Sequence, residues 1–127
     1  MELQDLNMAD RTILIADDDD LICDLLSFVL EGAGYKIITA HTVEDIVRKI
    51  NESKPDLTLL DLTLGDRSGI EVLRQINGTQ MPVIMLSGYD KSVLNESGAT
   101  SFPCVKDCLT KPISPETVAE AVKKTLG

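Results

Sequence analysis

The chain has 127 residues, 43% of them apolar and 26% charged, a globular composition that sets the expectation of a single domain over 1–127. Its net charge of −9 excludes the positive footprint of non-specific nucleic-acid binding, and no apolar run approaches the roughly 20 residues of a membrane helix. Three cysteines without CxxC spacing and one histidine exclude a disulfide scaffold, a zinc site and a histidine triad, so a cytoplasmic protein working through carboxylates is expected.

Met1 to Asp10 are polar and acidic, unlike a secretory signal, and 1–11 are expected to be a flexible N-terminus. Ile13 to Ala16 form a short apolar run that stops at four aspartates, which reads as a buried strand. Leu21 to Leu30 follow helical spacing, with Leu21, Ile22, Leu25, Leu26 and Val29 as the expected buried stripe and Gly32 and Gly34 as the stop. Lys36 to Ala40 read as a second strand. Thr42 then caps a helix, with Asp45 in an acidic capping box and Val43, Ile46, Val47 and Ile50 on one face.

Asp56 to Leu60 predict a third strand ending at Asp61, and Gly65 to Gly69 a turn before a helix over Ile70 to Ile76. Val83 to Leu86 form a fourth strand closed by Ser87-Gly88. Between Tyr89 and Pro103 only Val93 and Leu94 suggest an apolar face, so that helix is expected to be short or disordered. Val105 to Thr110 supply a fifth strand. Ser114-Pro115-Glu116 open the last helix, with Val118, Ala121, Val122 and Leu126 facing inward. Strands alternating with helices predict a flavodoxin-like, doubly wound α/β fold, a three-layer sandwich around a five-stranded parallel sheet.

In such a sheet the strand ends share one edge, and ligands sit beyond it. Those ends carry Asp17-Asp18, Asp61, Ser87 and Lys111-Pro112. Two carboxylates about 4 Å apart repel by roughly 4 kcal/mol at an effective dielectric near 20, so three of them need a proton, a lysine or a divalent cation. Oxygen ligands that leave room for water suit Mg²⁺. A carboxylate beside Mg²⁺, an ammonium and a hydroxyl is a phosphoryl-transfer site. In such a site Asp61 can act as the nucleophile, while Lys111 would offset charge and Ser87 would donate a hydrogen bond to a transferring oxygen.

Each residue also has a plainer reading. Asp19 and Asp20 fit a solvated helix N-terminus favoured by the helix dipole, His41 a surface position, and Cys23 a small buried hydrophobe. Asp61 alone could form a turn, and Ser87-Gly88 and Lys111-Pro112 could be ordinary strand exits. Their coincidence at successive strand ends favours a site.

From Ile13 to Leu126 the chain resembles a response-regulator receiver domain. The resemblance rests on Ile13 to Asp18, Pro55 to Asp61, Gly69, Pro82 to Ser87, and Lys111-Pro112 taken in order. It implies that Asp61 is the phospho-acceptor and that Asp17 and Asp18 hold Mg²⁺, Asp18 more directly. It further implies that Thr63 offers its backbone carbonyl to the metal, and that Ser87 and Lys111 contact the phosphoryl group. The implied partner is a sensor histidine kinase or a histidine phosphotransfer protein, the role is a conformational switch rather than an enzyme, and a phosphorylation-dependent dimer or output-domain contact would follow.

Four departures stand out. Gly65 replaces a usual proline, which should loosen the loop; Gly88 replaces a common alanine; Cys108 replaces an aromatic switch residue; and the fourth helix is degraded. Tyr89 is a candidate to move in place of the missing aromatic. The Ser-Gly pair is also similar to that of receivers joined to cyclic-dinucleotide phosphodiesterase domains. Two other functions compete: an aspartate-nucleophile phosphohydrolase of the haloacid-dehalogenase type, with Asp17-Asp18-Asp19 mimicking its Asp-x-Asp, and a phosphate-independent interaction module. The first needs a substrate-capping domain, for which no segment is evident. The second has no use for the full set of acidic residues, Ser87 and Lys111.

Overall fold

The computed structural model describes residues 11–127, so all of the expected N-terminal segment except Arg11 lies outside the described residues. Five strands, β1 (Thr12–Ala16), β2 (Lys36–Ala40), β3 (Leu57–Asp61), β4 (Val83–Ser87) and β5 (Val105–Thr110), pair in parallel in the order β2-β1-β3-β4-β5. Between and after them run α1 (Asp20–Gly32), α2 (Val43–Ser53), α3 (Gly69–Gln75), α4 (Lys91–Ser97) and α5 (Pro115–Leu126). This is the flavodoxin-like sandwich that the alternating pattern predicts.

Side-chain alternation along the strands divides the core in two. Ile13 and Ile15 of β1, with Leu57, Leu59, Ile84 and Leu86, face α1 and α5. Leu14 and Ala16, with Leu60, Val83 and Met85, face α2, α3 and α4. Burying one such leucine or isoleucine contributes about 1.5–3 kcal/mol, which is why the strands need no polar face. Burial on both sides also fixes the register, since a one-residue slip would exchange the two cores.

Local signals set the helix starts. Asp19 caps α1 by accepting from the Leu21 and Ile22 N–H groups, Thr42 caps α2 through the Asp45 N–H, and Ser114 caps α5 with Pro115 at its first position. The expected α1 stripe is corrected. Cys23, Leu26 and Leu30 face the sheet, while Leu21 and Phe28 are each 79% exposed and Leu25 is 48% exposed. Apolar residues surround most of this helix, so periodicity alone could not choose the face; contact with β1 and α5 does.

The fourth helix is short, as expected, but it is a formed seven-residue helix capped by Asp90, with Leu94 buried and Gly98 at its left-handed end. Val93 remains 38% exposed.

Between β3 and α3, Thr63–Leu64 pair antiparallel with Arg67–Ser68 in a small hairpin that the sequence reading treated as a turn. Ser68 and Glu71 then form a full capping box for α3. Gly69 packs so tightly against the end of β3 that a Cβ would collide with the Asp61 carbonyl oxygen, while its own N–H donates to the Leu62 carbonyl at 2.7 Å. Gly69→Ala should therefore destabilise the protein by about 1–3 kcal/mol through forced backbone movement. Urea denaturation checks this, and a midpoint equal to that of the parent would contradict the packing argument.

Candidate functional site

The carboxyl edge of the sheet gathers the predicted residues. Asp17 follows β1 and is completely buried; Asp61 ends β3 with only 5% exposure; Ser87 ends β4 at 1%. Asp18 is exposed at the rim. Carboxylate oxygens of Asp17, Asp18 and Asp61 lie within 4.8 Å of one another. Lys111, one residue beyond β5, reaches across the edge and donates to Asp17 Oδ2 at 3.0 Å and to Asp61 Oδ2 at 2.9 Å.

Backbone N–H groups hold the remaining oxygens. Asp19 N–H donates to Asp17 Oδ1 at 2.9 Å, Thr63 N–H to Asp61 Oδ1 at 3.1 Å, and Gly65 N–H to Asp18 Oδ2 at 2.8 Å. Ser87 Oγ accepts the Tyr89 N–H at 2.9 Å, and the Ser87 carbonyl accepts the Lys111 N–H at 2.6 Å, tying the ends of β4 and β5 together.

The electrostatics follow from burial. Desolvation pushes the Asp61 carboxyl above its ordinary value, against the opposing pull of Lys111 and the Thr63 N–H, and the Asp17 charge adds to the rise. Burial alone would lower the Lys111 pKa, but its hydrogen bonds to Asp61 and Asp17 reverse that and hold it above its ordinary value. One ammonium against three carboxylates leaves two negative charges, the charge of a single divalent cation. An all-oxygen donor set fits Mg²⁺. Asp18 presents the free valence, since no hydrogen bond reaches its Oδ1 among the described residues.

Several plainer readings describe the remaining residues. Asp19 Oδ1 caps α1, accepting from the Leu21 and Ile22 N–H groups, which is the plainer reading of that residue. His41 is exposed, with Nε2 3.4 Å from an Asp20 oxygen. Cys23 donates to the Asp17 carbonyl, and burial with the surrounding carboxylates pushes its thiol up to about 11, so it stays protonated. Burial likewise raises the Cys104 and Cys108 thiols. Cys108 lines a surface hollow of about 230 Å³ with Lys91, Asn95, Thr100 and Lys106.

What the sequence reading missed is the set of backbone N–H donors to the carboxylates. Gly65, expected to loosen its loop, instead sits at the hairpin tip with φ +64° and binds Asp18. Arg67 pins the hairpin to Glu44 of α2 at 2.5 Å and to Glu71 of α3 at 3.0 Å. Glycine and charge spacing signalled a turn, but not which carboxylate the turn would meet.

Known proteins resemble this chain over most of its length. Residues 13–123 match the model of the response regulator receiver domain. The alkaline phosphatase synthesis transcriptional regulatory protein PhoP of Bacillus subtilis is 37% identical over 91% of this chain. The match covers 48% of that relative, so the chain spans about half its length. Among solved structures, a CheY-like response regulator receiver domain protein from Methanospirillum hungatei superposes with a TM-score of 0.81 at 30% identity, covering 91% of this chain and 93% of the other. The receiver domain of the Francisella response regulator 1452 gives 0.82 at 26%, covering 92% and 97%.

A buried acid whose carboxyl is raised by folding weakens the fold once ionised, so stability falls as pH rises above the unfolded value of about 4. In EDTA, Asp61→Asn should raise the urea midpoint at pH 7.5, with the gap closing as pH falls toward about 4. A lower or equal midpoint for the variant at pH 7.5 would show that the lysine outweighs the burial.

Proposed function

We propose, because this chain belongs to the response regulator receiver domain family, that Asp61 accepts a phosphoryl group from a phosphohistidine donor and that the domain switches conformation in response. Receiver domains of two-component response regulators are phosphorylated on an aspartate and bind Mg²⁺ at an acidic pocket; the family signals and is usually not classed as enzymatic. The observation that carries the assignment to these residues is the Lys111 ammonium set between Asp17 and Asp61, with Asp18 beside them.

Asp17, Asp18 and Asp61, with the Thr63 carbonyl, would hold Mg²⁺, which when bound offsets charge on the transferring oxygens. Asp61 Oδ forms the new bond to phosphorus as the phosphorus–nitrogen bond of the donor histidine breaks. The leaving imidazole keeps that electron pair, and no general base is needed because Asp61 attacks as a carboxylate. Lys111 already stands 2.9 Å from Asp61 Oδ2, where it can exchange one carboxylate partner for a phosphoryl oxygen. The Ser87 hydroxyl, now accepting from Tyr89, has its proton free to donate.

The donor is a sensor histidine kinase or a histidine phosphotransfer protein. It must cover the carboxyl edge, and there α1 presents Leu21 in its first turn, with Leu25 and Phe28 continuing the same exposed face. Three buried free thiols among the described residues support a reducing cytoplasm as the location. Among those residues no helix is long and apolar enough to cross a membrane.

Two measurements test this reading. Intact mass after incubation with acetyl phosphate and Mg²⁺ should show one added phosphoryl group on the parent and none on Asp61→Asn; full labelling of that variant would overturn the assignment. Leu21→Glu and Phe28→Glu should slow transfer from the cognate phosphohistidine donor by about fivefold or more while acetyl phosphate labelling stays at the parental level. Equal slowing with both donors would show that α1 serves the pocket rather than the partner.

A further inference from the structure

We propose that the Thr63–Ser68 hairpin sets the cation affinity of the pocket through its backbone, with the Gly65 N–H as the positioning group for Asp18. This deepens, and rests on, the reading that Asp17, Asp18 and Asp61 hold Mg²⁺.

The three carboxylates are not restrained alike. Asp17 and Asp61 each have both oxygens engaged, one by Lys111 and one by a backbone N–H two residues further along the chain. Both are buried. Asp18 is exposed, and among the described residues one hydrogen bond restrains its side chain, the 2.8 Å bond to Oδ2 from the N–H of Gly65, 47 residues away. That bond leaves Oδ1 open on the pocket's most accessible acid. A ligand held in place beforehand loses less freedom when the ion arrives, which raises affinity.

The donor depends on this residue type. Gly65 has φ +64°, a left-handed conformation, and open space where a Cβ would stand. Proline, the usual residue at this position in domains the sequence resembles, is locked near −65° and has no N–H. The departure that looked like a loosened loop therefore adds a hydrogen-bond donor aimed at a metal ligand.

The hairpin is also fixed enough to aim it. Leu64 is 5% exposed, Ser68 caps α3, and Arg67 ties the second strand to Glu44 and Glu71. The same element supplies the Thr63 N–H to Asp61, so two of its amides restrain two of the three acids.

Calorimetric Mg²⁺ titration of the parent, Gly65→Pro, Gly65→Asn and Asp18→Asn tests the proposal. Gly65→Pro should bind Mg²⁺ about tenfold more weakly, the size of one lost charge-assisted hydrogen bond. Gly65→Asn, which keeps the N–H and tolerates the left-handed region, should stay within about twofold of the parent. Asp18→Asn should lose most of its affinity. Parental affinity in Gly65→Pro overturns the hairpin's role and leaves the cation reading intact, whereas parental affinity in Asp18→Asn overturns the cation reading itself.

A second measurement needs no variant. The scalar coupling across the hydrogen bond between Gly65 ¹⁵N and Asp18 ¹³Cγ should be present in the free chain and persist at saturating Mg²⁺. Its absence from the free chain, or its loss on adding Mg²⁺, would mean that the amide does not position Asp18 for the ion, and the proposal fails.

Discussion

Lys111 sits between two buried carboxylates, 3.0 Å from Asp17 and 2.9 Å from Asp61, and the rest of the pocket is arranged around the charge it leaves uncompensated. Removing charges from water costs several kcal/mol per ion, so such a group persists only where the surrounding structure enforces it. Here the enforcement is the parallel sheet. β1, β3 and β5 each deliver one member to the same edge, and their buried faces leave the strands no register other than the observed one. The lysine lets Asp17 and Asp61 coexist without a cation, while the remaining two negative charges make a divalent cation the natural complement.

Backbone amides complete what the side chains begin. Asp17, Asp18 and Asp61 each accept one N–H, from Asp19, Gly65 and Thr63 respectively, so each carboxylate has a defined orientation before any ion or phosphoryl group arrives. Preorganised dipoles of this kind cost no reorganisation at the moment of reaction. Gly69 serves the same end by letting α3 start against the Asp61 carbonyl, which brings the hairpin and its amides over the pocket. The site is thus a property of the strand ends together with the turns that leave them.

Much of this was legible in the residues. Apolar runs that break at Asp17, Asp61, Ser87 and Lys111 locate the strand ends, and parallel pairing then brings those residues together without further information. The α1 face was not legible, because Leu21, Leu25 and Phe28 have the same apolar character as Cys23, Leu26 and Leu30, and only packing against the sheet distinguishes them. Backbone donors were hidden for a different reason. The Gly65 N–H exists in any sequence with a non-proline residue there, and its direction depends on φ +64° and on a hairpin held by Arg67. Asp90 is a residue type that caps helices, but with Leu94 the one buried residue of α4 the apolar pattern there is too weak to mark a helix start.

The proposed function requires one divalent cation in the space bounded by Asp17, Asp18 and Asp61. Anomalous scattering from a crystal grown with Mn²⁺ in place of Mg²⁺ measures this without reference to phosphorylation. A single strong peak about 2.2 Å from oxygens of Asp18 and Asp61 and within the reach of Asp17 is the expected result. A peak elsewhere on the surface, with Lys111 still bridging Asp17 and Asp61 and no ion between the acids, would contradict the account.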